Sequence, residues 1–176
     1  MIQWYPGHMY KASKAFKEIL PQVDIVIEML DARLPGSSEN PMLAQLRRDK
    51  PCIKLLNKSD LSDRAGLAEW VVNLEQQNQV KTLVCCSGDN VHGELPGLCR
   101  TLMPKRENRS DMIYAMIAGI PNVGKSTLIN RLAGRSIAKT GNEAAMTRLQ
   151  QRIEISPELT LIDTPGMLWR DFDTLL

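Results

Sequence analysis

At 176 residues, 43% hydrophobic and 24% charged, with a formal net charge of +2 at pH 7, the chain has the make-up of one globular domain with a sizeable core. So even a charge balance excludes a polybasic protein held to nucleic acid by its whole surface; any basic contact has to be local. No apolar run approaches the ~18 residues of a membrane span, and the start, Met1-Ile2-Gln3-Trp4-Tyr5-Pro6, has neither signal-peptide nor transit-peptide character, so a cytoplasmic protein is expected.

Trp4-Tyr5-Pro6-Gly7-His8-Met9 reads as a turn leading into a helix that runs to about Leu20. Ala12, Ala15, Phe16 and Ile19 form its apolar stripe. Lys11, Lys14 and Lys17 share another face, either a solvated row or a contact for RNA phosphates. Residues 1–22 are therefore read as a helical segment packing on a domain formed by 23–176. A strand over 24–30 follows, ending at Asp31-Ala32-Arg33, then a Pro35-Gly36-Ser37-Ser38 loop, a helix over about 41–48 and a second strand over 52–56.

Asn57-Lys58-Ser59-Asp60 stands at the end of that second strand. Ligands of open α/β sheets bind beyond the carboxyl ends of strands, so a base-reading group belongs here. The Asp60 carboxylate can accept both N1–H and N2–H of guanine, a pairing adenine does not offer. Asn57 would meet N7 or tie the loop, and the Lys58 stem would lie over the base plane. The competing reading is an aspartate capping the next helix.

That helix covers about 63–77, with Leu67, Trp70, Val71 and Leu74 as its buried face. The strand 80–86 then ends at Ser87-Gly88-Asp89-Asn90, where Ser87 or a backbone amide could meet a guanine oxygen. His92 falls in a loop, as a surface residue. Residues 93–103 suit a short helix confined or kinked by Pro96, and the basic, polar stretch 104–111 is a linker. The four cysteines, Cys52, Cys85, Cys86 and Cys99, form no C-x-x-C pair and are expected as buried, reduced thiols.

The strongest signal comes next. After the apolar run 112–118, suited to a buried parallel strand, the chain reads Gly119-Ile120-Pro121-Asn122-Val123-Gly124-Lys125-Ser126-Thr127, the Gly-x-x-x-x-Gly-Lys-Ser spacing of a phosphate-binding loop. Gly119 and Gly124 let the backbone wrap a phosphate chain, so that successive N–H groups, including those around Val123 and Thr127, face the anion. The following helix, stopped at Gly134, adds the positive end of its dipole. Lys125 would reach the β- and γ-phosphates, and the Ser126 hydroxyl would ligate Mg²⁺.

A loop over 137–148 has no hydrophobic period; Thr147 near its end is either a Mg²⁺ ligand in a switch or an ordinary loop threonine. Strands over 151–156 and 159–162, joined by a turn at Pro157-Glu158, lead to Asp163-Thr164-Pro165-Gly166. This D-x-x-G ends a hydrophobic strand, where Asp163 can hold Mg²⁺ through water and the Gly166 amide can bond a γ-phosphate. The whole predicts an α/β, three-layer P-loop NTPase fold with a mostly parallel central sheet. Its base-reading segments precede the phosphate loop, the reverse of the usual GTPase order, which makes the topology circularly permuted. Sheet and pocket need not change, because natural termini often lie close together.

That order, together with Pro6-Gly7-His8-Met9, Asp31-Ala32-Arg33-x-Pro35 and Asp163-Thr164-Pro165-Gly166, resembles the circularly permuted GTPases of the RbgA/YlqF type, from Gln3 to Phe172. The resemblance implies slow GTP hydrolysis on Mg²⁺, stimulation by potassium, and activation by the precursor of the large (50S) ribosomal subunit and its RNA. It implies that Asn122 ligates K⁺ and that His8 positions the attacking water. The residues agree with the second role: Met167 stands where many GTPases carry a water-orienting Gln, whereas a neutral imidazole can orient or accept from water. The competing reading of His8 is a turn-stabilising residue.

Two departures stand out. Ala144-Ala145 replaces the Pro-Gly usual before the switch threonine, which loosens the link to Thr147. The family's further helical domain, implicated in ribosomal RNA binding, follows a sequence like Leu168-Trp169-x-x-Phe172, and the sequence runs to Leu176. Either this is a truncated form, or ribosome binding rests on the GTPase domain alone. A guanine-nucleotide sensor with little hydrolysis is the alternative function. An ATP-using protein is argued against by Asn57-Lys58-Ser59-Asp60.

Overall fold

The computed structural model describes residues 6–103, 112–134 and 151–164, with residues 6–12 described as backbone alone. Helix α1 (Pro6–Ile19) is followed by a 3-10 turn at Leu20–Gln22 and by strand β1 (Ile25–Asp31). Then come the helical turn α2 (Pro35–Ser38), α3 (Pro41–Arg47), β2 (Cys52–Asn57), a second 3-10 turn (Ser59–Leu61), α4 (Arg64–Glu75) and β3 (Val80–Val84). Helix α5 (Val91–Leu102), β4 (Ile113–Gly119), α6 (Lys125–Ala133), β5 (Arg152–Ser156) and β6 (Leu159–Asp163) complete the described elements.

The strands form one sheet in the order β3-β2-β1-β4-β6-β5. All neighbours are parallel except β5, which runs antiparallel to β6. β1 lies between β2 and β4, pairing Ile27 with Ile53 on one side and with Ile117 on the other. Every residue of β1 is buried, as expected of a parallel strand covered on both faces.

Strand alternation sends Ile25, Ile27, Met29, Ile53, Leu55, Ala115 and Ile117 to one face, against Leu95 and Cys99 of α5 and Leu128, Ile129 and Leu132 of α6. On the opposite face Val26, Cys52 and Met116 meet Phe16 and Ile19 of α1 and Leu43 of α3. Further along that face, Leu30 and Leu56 meet Leu67 and Leu74 of α4. The three layers expected from sequence are present.

The two apolar clusters on the second face are separated by charge. Glu28 and Lys54 are register partners on β1 and β2. The Lys54 ammonium donates to Glu28 Oε2 at 2.5 Å and to Glu39 Oε1 at 2.7 Å. Glu28 Oε1 accepts the Asn40 backbone N–H at 2.6 Å, and Gln77 Nε2 donates to Glu39 Oε1 at 3.2 Å. Burial pushes the Glu28 carboxyl above its ordinary range against the pull of Lys54. Burial is the largest single influence on Lys54 and works to lower it, but the charge of Glu28, together with smaller contributions from Cys52 and from the hydrogen bonds to Glu28 and Glu39, holds the ammonium's pKa up. The network pins the α2–α3 connection to the sheet, with Asn40 capping α3 through the Leu43 N–H.

Four expectations about the helices need correction. The chain is already helical at Pro6, so His8 lies within α1 and not in a turn. Residues 35–38 form a helical turn, closed by the Ser38 and Glu39 N–H groups on Leu34 O and Pro35 O. α5 begins at Val91 and so includes His92. Trp70 is 38% exposed rather than core. Its ring lies against α2, where a Cβ added at Gly36 would come 2.7 Å from Cη2.

Candidate nucleotide site

The carboxyl ends of β1, β2, β4 and β6 converge on one edge of the sheet. After β4 the chain turns through Asn122 (φ +62°) and Gly124 (φ +102°) into α6, whose first residue is Lys125. The first glycine is set by close packing: a Cβ at Gly119 would stand 3.0 Å from Met29 O of β1. Gly124 combines a left-handed φ with the absence of room, since its Cβ would meet Asn57 Nδ2 at 2.5 Å. Val123 is buried beneath this turn.

Lys125 and Asp163 are both buried, and the Lys125 ammonium donates directly to Asp163 Oδ1. Asp163 is the last residue of β6 and register partner of Ile117 on the phosphate-loop strand. The next residue, Thr164, is fully buried and donates its hydroxyl to Ile117 O at 2.7 Å. Ser126 is half-buried in the first turn of α6, and Thr127 is exposed. The Ser126 hydroxyl and the Asp163 carboxylate are hard oxygen donors, the type that Mg²⁺ takes alongside phosphate oxygens and water.

The residues expected to read a base lie against the same loop. Asn57 Nδ2 donates to Val123 O at 2.9 Å, and Cys85 Sγ approaches Asn57 Oδ1 at 3.7 Å. Of the two uses foreseen for Asn57, this contact corresponds to tying the loop. Lys58 adopts a left-handed backbone (φ +63°) and sends Nζ to Asn122 O and Asp31 Oδ2, both at 3.0 Å. Asp60, in the 3-10 turn that follows, is exposed. The Ser59 N–H donates to Cys85 O at 3.1 Å, which joins this turn to the end of β3. Ser87 is exposed, and its carbonyl, with that of Cys86, is held by the Arg131 guanidinium from α6.

Thr147 and Gly166 lie outside the described residues, as does the side chain of His8. Two residues that sequence reasoning left without a role stand out in the structure. Arg131 ties the phosphate-loop helix to the 86–87 loop. Asp31 accepts both Arg33 and Lys58, and the Arg33 guanidinium, helped by Lys58, holds its carboxyl far below the usual range despite partial burial. Its position at the end of an apolar, strand-like run was the available signal. Cys52, Cys85 and Cys99 are buried as expected from sequence, whereas Cys86 is only half-buried. Burial pushes Cys85 up to about 11 and Cys52 and Cys99 up to about 12, so all three are protonated at neutral pH.

Residues 114–174 match the profile of a family described as "50S ribosome-binding GTPase". Over 100% of its length the chain is 40% identical to Ribosome biogenesis GTPase A of Bacillus cereus, covering 62% of that protein. It is 44% identical to Ribosome biogenesis GTPase A of Bacillus licheniformis, over 98% of this chain and 64% of that protein. The crystal structure of GNP-bound YlqF from T. maritima superposes with a TM-score of 0.64 at 26% identity, over 93% of this chain and 61% of that one. The chain thus spans somewhat less than two thirds of the length of these relatives, at 62% and 64%.

Proposed function

The chain belongs among the circularly permuted ribosome biogenesis GTPases of the RbgA/YlqF type, its homologues along its whole length, and on that premise we propose that it binds guanine nucleotide and hydrolyses GTP during ribosome assembly. The observation that carries this reading is the Asn57–Val123 hydrogen bond, which sets the base-reading segment against the phosphate loop. The phosphates lie along the 119–127 turn at the N-terminus of α6, and the base lies beyond β2, with Asp60 pairing with guanine, the Lys58 stem over its face and the Ser87 loop at its oxygen.

Lys125 is already withdrawn from bulk water beside Asp163, so the γ-phosphate meets a cation in a low-dielectric setting, where charge neutralisation is strongest. Ser126, Thr147 and, through water, Asp163 would hold Mg²⁺, which would shield the phosphate charge. Gly166 donates its amide to the γ-phosphate. Asn122 would ligate a potassium ion, which would add positive charge, and His8 would orient the water for in-line attack. The intrinsic rate is low, and the cytoplasmic partner that raises it is the precursor of the large ribosomal subunit with its RNA.

Calorimetry with Mg²⁺ present tests the core of the reading: GDP binds, and ADP binds at least about a hundredfold more weakly, because a site built to pair with guanine leaves its polar groups unpaired against adenine. Equal affinity for the two would sink it. GTP turnover in KCl against NaCl then tests Asn122, with equal rates removing the potassium role. Glu143-Ala144-Ala145-Met146-Thr147 favours the sensor reading, because the usual rigid turn is missing. Single-turnover hydrolysis by His8→Ala separates the two, since an unchanged rate rules out the histidine and supports the sensor.

A further inference from the structure

Asp31 ends the buried strand β1 beside the phosphate loop, with Ala32 and Arg33 just beyond it, and none of the three has a part in the binding or hydrolysis proposed above. The Asp31 carboxylate is fully engaged. Oδ1 accepts the Arg33 N–H at 3.1 Å and Nε at 2.9 Å, and Oδ2 accepts Arg33 Nη2 at 2.7 Å and Lys58 Nζ at 3.0 Å. Its own N–H donates to Ser38 Oγ at 3.0 Å, so the α2 turn fixes the strand end. The Ala32 N–H donates to Asn57 O at 2.8 Å, which locks β1 to β2 one residue before Lys58. Lys58 Nζ has Asn122 O as its second acceptor, at 3.0 Å. The lysine is therefore strung between the end of β1 and the phosphate loop.

We propose that Asp31 is a positioning residue for nucleotide binding: it fixes the Lys58 ammonium, and through it the Asn122 carbonyl, so that the lysine stem is laid out before a purine base arrives. The proposal rests on the guanine-nucleotide reading of this site. At 28% exposure a lysine stem has room to sample several rotamers, and any freedom it keeps is lost on binding. A carboxylate anchored by the guanidinium of Arg33 removes that freedom in advance. Asp31 itself touches no nucleotide in this arrangement, so its whole effect passes through Lys58.

Titration of the wild type, Asp31→Asn, Lys58→Met and the double variant with fluorescent GDP in Mg²⁺ tests this. Asp31→Asn is expected to weaken GDP about tenfold, and the double variant to bind within about twofold of Lys58→Met alone. An Asp31→Asn affinity within about twofold of wild type, or losses that multiply in the double variant, overturns the proposal. A wild type that binds no GDP brings down the guanine reading itself, and this proposal with it; normal wild-type binding with an unaffected Asp31→Asn brings down only the positioning role. If Asp31→Asn does not fold, acetylation of the wild-type protein gives a second readout. Lys58 is expected to react at least about fivefold more slowly than the exposed Lys14 and Lys17, and equal rates overturn the proposal.

Discussion

Asn57, the last residue of β2, and Val123, in the phosphate loop, are 66 residues apart in the chain and joined by a 2.9 Å hydrogen bond. The bond explains why a permuted order of segments is tolerable. What the pocket needs is adjacency of the strand ends, and the sheet supplies it whichever segment is made first. The same bond places Asn57 Nδ2 within 2.5 Å of where a Cβ on Gly124 would be, so the loop and the end of β2 constrain each other.

Gly124→Ala should therefore act twice. The left-handed φ of +102° is unfavourable for alanine, and the new methyl displaces the Asn57 amide. A stability loss of about 1–3 kcal/mol by urea unfolding is expected, with at least about a tenfold weaker titration by fluorescent GDP as the Asn57–Val123 bond breaks. Unchanged values in both measurements would show that the loop has another way to close.

Lys54→Met leaves the Glu28 carboxyl buried without its cation, and a loss of about 3–5 kcal/mol is expected. Glu28→Gln in the same chain should restore much of it, because the amide oxygen still accepts the Asn40 N–H without carrying charge. The pH dependence has a definite sign. A glutamate whose folded pKa is raised, as burial raises Glu28, contributes stability below its unfolded value and loses it as pH rises through the folded one. The Lys54→Met deficit should therefore grow between acid and neutral pH and vanish from the pH profile when Glu28→Gln is added. A pH-independent deficit would sink this account.

Asp31 titrates in the opposite sense. Its carboxyl is held far below the ordinary range in the folded protein, chiefly by Arg33, so the unfolded chain takes up the proton first. The stability it contributes is present above about pH 4, the unfolded value, and is lost as pH falls through the folded one. Asp31→Asn should flatten the acid limb of the wild-type stability curve. Superimposable acid limbs, measured by thermal unfolding from neutral pH downwards, would refute the pairing.

Trp70 and Gly36 provide a cycle that needs no nucleotide. A methyl at Gly36 would sit 2.7 Å from the Trp70 ring, so Gly36→Ala should destabilise by about 1–2 kcal/mol and shift the tryptophan emission. In a Trp70→Ala background the same change should cost little, because the clash is gone. Additive effects in the double variant would mean that the ring does not cover the α2 turn.

Much of the site was legible in the chain because its chemistry is local. The phosphate loop needs its glycines, lysine and serine at fixed spacing over a few residues. Asn57-Lys58-Ser59-Asp60 and Asp163 announce themselves by ending apolar runs that can only be buried strands. Bounds of strands and helices also followed from local pattern, most shifting by one or two residues. Other features depend on which strands become neighbours. Glu28 interrupts an apolar run, and only the parallel register of β1 and β2 supplies Lys54 as its partner. Trp70 falls at helical spacing with Leu67 and Leu74, yet α4 buries a stripe too narrow to include it, and the ring settles on Gly36.

The sequence by itself determined which segments are expected to wrap a phosphate chain or recognise a purine, since those capacities belong to short stretches of backbone and side chain. Tertiary structure alone decided that Asp31 anchors Lys58, that Arg131 clamps the 86–87 loop and that Lys125 rests on Asp163. Each of those contacts joins residues at least 27 positions apart. Their existence depends on sheet order and register, which arise from the packing of the whole core and leave no trace in local spacing.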